Sequence, residues 1–205
     1  VYNEPIERIL AKLQALKQED ETYEIFGAEG HLYELDEVWN PEEVLRFEQK
    51  WNVKLPEEYR AFLMLAGSGG AGPYYGLERP EEGVYTDLDY KSELNDVSGC
   101  FSYTEAWNAE TDWDDERLSE EEQEALENDY FGPDKSAGLL RISNFGCGVS
   151  INLVVNGPSY GQIWIDDRVN QGGIYPDHYF DNTERLTFLT WYETWLDRSL
   201  DEIRT

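Results

Sequence analysis

Ile6, Ile9, Leu10, Leu13 and Leu16 recur at helical spacing with charged and polar residues between them, which predicts an amphipathic helix near the start of the chain. Tyr23, Ile25, Leu32, Tyr33 and Leu35 then surround a turn signal at Gly27 and Gly30, and predict a short extended pair or loop. At Asn40-Pro41-Glu42-Glu43 a capping Asn, a Pro at the first helical position and an acid at the third coincide. A helix is expected from there to about Trp51, burying Val44, Leu45, Phe47 and Trp51. Leu55-Pro56-Glu57-Glu58 opens another, with two acids complementing the helix dipole. Tyr59, Phe62, Leu63 and Ala66 line its apolar face and Gly67 ends it.

The glycine-rich run over 67–73 predicts a flexible connection whose glycines permit close backbone packing. The stretch from about 78 to 128 is irregular and rich in acid, although Ser119 with Glu122 three positions later forms a capping-box signal for a short acidic helix. After Gly132-Pro133 the period shortens. Segments 139–142, 149–155 and 162–165 are β-branched or aromatic runs separated by Asn144-Phe145-Gly146 and Asn156-Gly157-Pro158, and read as an antiparallel meander. Helical period returns over 186–203 through Leu189, Tyr192, Leu196, Leu200 and Ile203. Helices first, a mainly antiparallel sheet in the middle and a C-terminal helix packed on it make an α+β fold. The 205 residues are expected to form a single domain, with 1–39 as a helical or extended N-terminal extension and 40–205 as the core, carrying an acidic insertion at about 105–130.

Composition changes this picture mainly through charge. The chain holds 44 Asp and Glu against 16 Lys and Arg, a formal net charge of −28. Such a field repels nucleic-acid backbones and anionic lipid and steers a basic protein toward it; the alternative is that acidity serves only solubility or a salt-tolerant source. No stretch has the roughly 18 to 20 apolar residues of a membrane span. Cys100 and Cys147 are the only cysteines and show no CxxC spacing, so no disulfide framework is implied and a reducing cytoplasm is the natural location. The chain begins at Val1 and not at Met, as expected after trimming upstream.

Candidate chemistry is sparse. Gly67, Gly69 and Gly72 satisfy G-x-G-x-x-G, but they follow a helix where a dinucleotide site needs a strand. His31 and His178 have no partner at metal-ligand spacing and read as ordinary polar or half-buried residues. Cys147, between two glycines before a strand, lacks the basic neighbour a thiolate needs and reads as a packed strand-edge residue. Asp112-Trp113-Asp114-Asp115-Glu116 resembles the start of a calcium loop but lacks its central Gly and final Glu. No catalytic residue, cofactor or metal is therefore expected, and the chain is read as a binding protein and not an enzyme.

One constellation is more specific. The run Glu48-Gln49-Lys50-Trp51-Asn52-Val53-Lys54-Leu55-Pro56-Glu57-Glu58-Tyr59-Arg60-Ala61-Phe62-Leu63, followed by Ser68-Gly69-Gly70-Ala71-Gly72-Pro73, resembles the signature of the SUKH superfamily. That group contains fungal Smi/Knr cell-wall regulators and many bacterial immunity proteins. Ser143-Asn144-Phe145-Gly146-Cys147-Gly148, Gly161-Gln162-Ile163-Trp164-Ile165-Asp166 and the segment 188–196 extend the likeness from about residue 40 to the end, while 110–129 has no counterpart and reads as an insertion. The resemblance implies a non-enzymatic immunity protein that neutralises a cognate toxin; joined to the acidity, it points to a basic, nuclease-type domain. The alternative is a regulatory scaffold in cell-wall synthesis or signalling. A monomer or weak dimer is expected. The acids Asp112, Asp114, Asp115, Glu116, Glu120, Glu121 and Glu122 are the expected partner-binding residues, with Trp107 and Trp113 as aromatic anchors. Tyr74, Tyr75, Asp166 and Asp167 are the alternative site.

Overall fold

Four strands form one antiparallel meander in the order β1-β2-β3-β4, in a computed structural model that describes residues 1–86, 91, 93–109, 117–177 and 185–205. They are β1 (Leu139–Gly146), β2 (Val149–Val154), β3 (Ile163–Asp166) and β4 (Ile174–Pro176). Around them lie seven α-helices among the described residues: α1 (Asn3–Glu19), α2 (Ala28–His31), α3 (Pro41–Trp51), α4 (Glu57–Leu65), α5 (Pro80–Gly83), α6 (Glu120–Tyr130) and α7 (Phe188–Ile203). The fold is α+β, with helices before the sheet and one after it.

Side-chain alternation gives the sheet two different faces. Leu140, Ile142, Ile151, Leu153 and Ile163 pack into the main core with the apolar faces of α1, α3, α4 and α7. Phe188, Trp191, Tyr192 and Trp195 of α7 fill its centre, and Phe62 of α4 lies 5.0 Å from Phe188 and 4.9 Å from Tyr192. Helix α1 belongs to this core through Ile6, Ile9, Leu13 and Leu16. Its ion pairs to α7 advance in one direction, from Arg8–Glu193 at 2.5 Å through Lys12–Asp197 at 2.5 Å to Glu19–Arg204 at 2.6 Å, so the two helices run parallel. On the other face Leu139, Val154, Trp164 and Ile174 form a second, smaller core with Phe101, which Tyr103 and Trp107 flank.

Several local expectations are sharpened or corrected. Of the extended pair or loop expected over 23–35 the loop forms: the Gly27 and Gly30 signal belongs to the single turn of α2, and Leu35 makes an isolated bridge to Gly70. The run 67–73 packs closely on its neighbours, as its glycines permit. Gly70 is bridged to both Leu35 and Leu77, and a Cβ on it would lie 2.4 Å from the Glu34 carbonyl oxygen. The first hairpin turns at Cys147-Gly148 and not at Asn144-Phe145-Gly146. Both turn residues have positive φ, 52° and 80°, which suits the twist of a two-residue hairpin. Cys147 is consequently exposed at the tip, not packed at a strand edge. Strand β4 has only three residues, too few for a periodicity to show in the sequence. Among the described residues no helix is long and apolar enough to cross a membrane.

Candidate partner-binding cleft

The second face of the sheet is apolar at one end and polar at the other. Arg141, Asn152 and Trp164 stand in register across β1, β2 and β3, as do Asn144, Ser150 and Asp166. Toward the polar end the side chains floor a cleft of ≈ 730 Å³ that contains Arg141, Ser150, Asp166 and Arg168. A smaller recess of ≈ 260 Å³ shares these residues and adds Asn95 and Asn152.

Both guanidinium groups in the floor are buried, and a buried charge is tolerable only when it is paired and hydrogen-bonded. Arg141 donates Nε–H to Glu78 at 2.7 Å and Nη1–H to the Tyr85 carbonyl at 2.8 Å. Burial raises the Glu78 carboxyl above the usual range and the Arg141 charge opposes that shift; its Oε1 is buried without a hydrogen-bond partner. Arg168 donates Nε–H and Nη2–H to the Asp166 carboxylate at 2.8 and 2.6 Å, and Nη1–H to the Tyr130 carbonyl at 3.0 Å. The last contact places a cation on the C-terminal carbonyls of α6, where the helix dipole favours it, and so ties α6 to the cleft floor.

The walls are aromatic and exposed. Tyr75, Phe131 and Val169 line the cleft, Phe131 standing just beyond the end of α6. Tyr75 is 54% exposed and lies 4.9 Å from the ring of Phe26, also 54% exposed; Phe145, 50% exposed, lies 6.1 Å from Phe26. These three rings form a ridge. On its other side lies a second cleft of ≈ 720 Å³ lined by Tyr23, Glu24, Phe26, Glu29 and Tyr75.

The expected site residues are distributed unevenly around this cleft. Glu120, Glu121 and Glu122 stand in the first turn of α6, where the Ser119 capping box forms as the sequence predicts. Every residue of α6 except Tyr130 is exposed, so the helix presents acids all round. Asp112, Trp113, Asp114, Asp115 and Glu116 lie outside the described residues, as does His178. Trp107 is half-buried against Tyr130, 5.5 Å between rings, and its backbone pairs with Ile174. Of the alternative set, Tyr75 and Asp166 line the cleft and Asp167 is half-buried at its edge. Tyr74 points inward, buried, with its hydroxyl 3.5 Å from Asp177.

Sequence reasoning missed Phe26, Phe131, Phe145, Val169 and the two arginines. The alternation Leu140-Arg141-Ile142 was the available signal for Arg141, since it puts an arginine on the sheet face opposite the main core. Among the described residues no group of three His, Cys, Asp or Glu is arranged to hold a metal ion. His31 is buried, with Nδ1 accepting the Tyr33 N–H at 3.0 Å. The cleft thus offers apolar contact and hydrogen bonds, with its charges already paired.

A family model described as the SMI1 / KNR4 family (SUKH-1) matches residues 39–187. No curated protein and no solved structure matches the chain.

Proposed function

Because the chain belongs to the SMI1 / KNR4 family (SUKH-1), we propose that it is a cytoplasmic, non-enzymatic immunity protein that binds and neutralises a toxin domain, a basic nuclease-type effector. The observation that carries this reading is α6, an acidic helix exposed on nearly all sides and joined at its C-terminal end to an aromatic-walled cleft. A soluble helix that buries so little of itself gains little from packing; a cationic surface laid against it would supply what the fold does not. The net charge of −28 steers such a partner from a distance, and exposed carboxylates would compete for the cationic groups with which a nuclease holds phosphates. Two free, exposed thiols at Cys100 and Cys147 suit a reducing compartment.

The test uses the toxin domain encoded beside the gene. We expect a Kd in the nanomolar range or below. Raising salt from about 50 to 500 mM should cut the association rate tenfold or more, because exposed charges are screened beyond a Debye length of about 10 Å at 0.1 M. A neighbouring gene without a toxin, or an association rate indifferent to salt, would count against this reading.

A further inference from the structure

The ridge of Phe26, Tyr75 and Phe145 is held rigidly in place. Tyr74 adopts φ 57°, which turns its own side chain into the core and sends the next one, Tyr75, outward. That conformation is disfavoured for a residue with a Cβ. Gly27, beside Phe26, meets the same backbone so closely that a Cβ on it would lie 1.8 Å from the Tyr74 carbonyl oxygen. The Tyr75 N–H donates to the Asn144 carbonyl at 3.3 Å, and a Cβ on Gly146 would lie 3.0 Å from the Tyr75 ring. Three separate loops are thereby locked together to present three half-exposed rings. Backbone strain and exposed aromatic area both work against stability. Rigid, pre-placed aromatic side chains are what the energetic centre of an interface needs, since little side-chain entropy remains to be lost on binding.

The charge around the ridge selects its occupant. Glu24 and Glu29 line the cleft on one side of Tyr75, while Asp166, in the cleft on the other, already pairs with Arg168. The cations among the residues lining these clefts, Arg141 and Arg168, are buried and paired with Glu78 and Asp166. A second copy carries the same charge of −28 and would be repelled. Elsewhere the chain lays cations over half-buried rings, Lys50 over Trp51 at 4.9 Å and Lys135 over Trp107 at 5.8 Å. Among the described residues no cation of the chain lies over the ridge.

We propose that this ridge is the desolvated centre of the partner interface and seats an arginine-bearing cationic segment, with a guanidinium over Tyr75 and Phe26 and its alkyl stem in an adjoining cleft. This rests on the binding reading above and names the chemistry of the same site. Arginine fits better than lysine because its planar, weakly hydrated guanidinium stacks on aromatic faces.

The experiment titrates the full chain with a short glycine-spaced arginine peptide and with its lysine and citrulline counterparts, followed by NMR of backbone amides and aromatic rings. We expect millimolar binding of the arginine peptide, with shifts concentrated at Phe26, Tyr75, Phe145 and Gly146. Lysine should bind several-fold more weakly and neutral citrulline not at all. Tyr75→Ala should weaken the arginine peptide tenfold or more while Tyr75→Phe retains it, and a matched melting temperature shows that both fold. Shifts confined to α6, equal binding of citrulline, or ridge shifts that grow with protein concentration alone, as a second copy would give, each overturn the proposal. A toxin that binds Tyr75→Ala as tightly as the native chain refutes it while leaving the immunity reading intact. Arginine binding at the ridge in a chain that neutralises no toxin supports it while the immunity reading fails.

Discussion

His31 shows how one buried side chain makes this protein sensitive to acid. Its Nδ1 accepts the Tyr33 N–H, so the neutral ring carries its proton on Nε2, which is buried without a hydrogen-bond partner. Burial lowers its pKa from 6.5 to about 4, with the Gly72 carbonyl opposing the shift. A group depressed in the folded state contributes its full stability above the unfolded pKa and loses it as pH falls. The loss therefore begins near pH 6.5 and is complete near pH 4. By linkage it reaches about 2 kcal/mol at pH 5. Urea unfolding at pH 7 and pH 5 should show that difference in the native chain, and His31→Leu should flatten it while costing roughly 1–3 kcal/mol at pH 7 through the orphaned Tyr33 N–H. Equal pH dependence in the two proteins would rule this out. The sequence suggested an ordinary polar or half-buried histidine here, because the groups that bury it fully, such as Trp195, come from far along the chain. Tyr74 and Tyr75 make the same point: adjacent and identical, one is buried and the other exposed, and a single backbone dihedral separates them.

Among the elements, those that bury one regular face were legible. Helices α1, α3, α4 and α7 and the first three strands follow the hydrophobic period, and Asn40 and Ser119 cap their helices as read. The elements that escaped notice, α2, α5 and β4, span four, four and three residues and owe their form to partners elsewhere. The cleft was only half legible for a related reason. Tyr75 and Asp166 were named, whereas Phe131 of the cleft and Phe26 and Phe145 of the ridge come from separate loops whose meeting no local pattern announces. Helix α6 is legible yet weakly supported. Acids at its start complement the helix dipole, but Glu127 and Asp129 near its end oppose it, and Tyr130 is its sole buried anchor. Native-state hydrogen exchange should find α6 opening far more readily than α7. Ser119→Ala should lower the protection of α6 by about 1 kcal/mol and leave α7 unchanged; protection of α6 equal to that of α7 would contradict this.

For the molecule as a whole, a net charge of −28 works against compaction, since like charges approach one another on folding. Added salt should therefore stabilise the isolated protein while weakening its encounter with a basic partner. Its melting temperature is expected to rise by several degrees between about 20 and 500 mM NaCl, with Debye lengths contracting below 10 Å; a flat or falling curve would mean that pairing already neutralises the repulsion. The parallel clamp of α1 on α7 acts on a different stage of the protein's life. Arg8 and Glu193 are 185 positions apart, and a ribosome moving at about 5–20 residues per second needs roughly 10–40 s to cover that distance. Throughout that interval Ile6, Ile9, Leu13 and Leu16 lack the helix that will cover them. A nascent copy must therefore carry an adhesive amphipathic segment until almost the last of these residues is translated, and chaperones have that long to claim it.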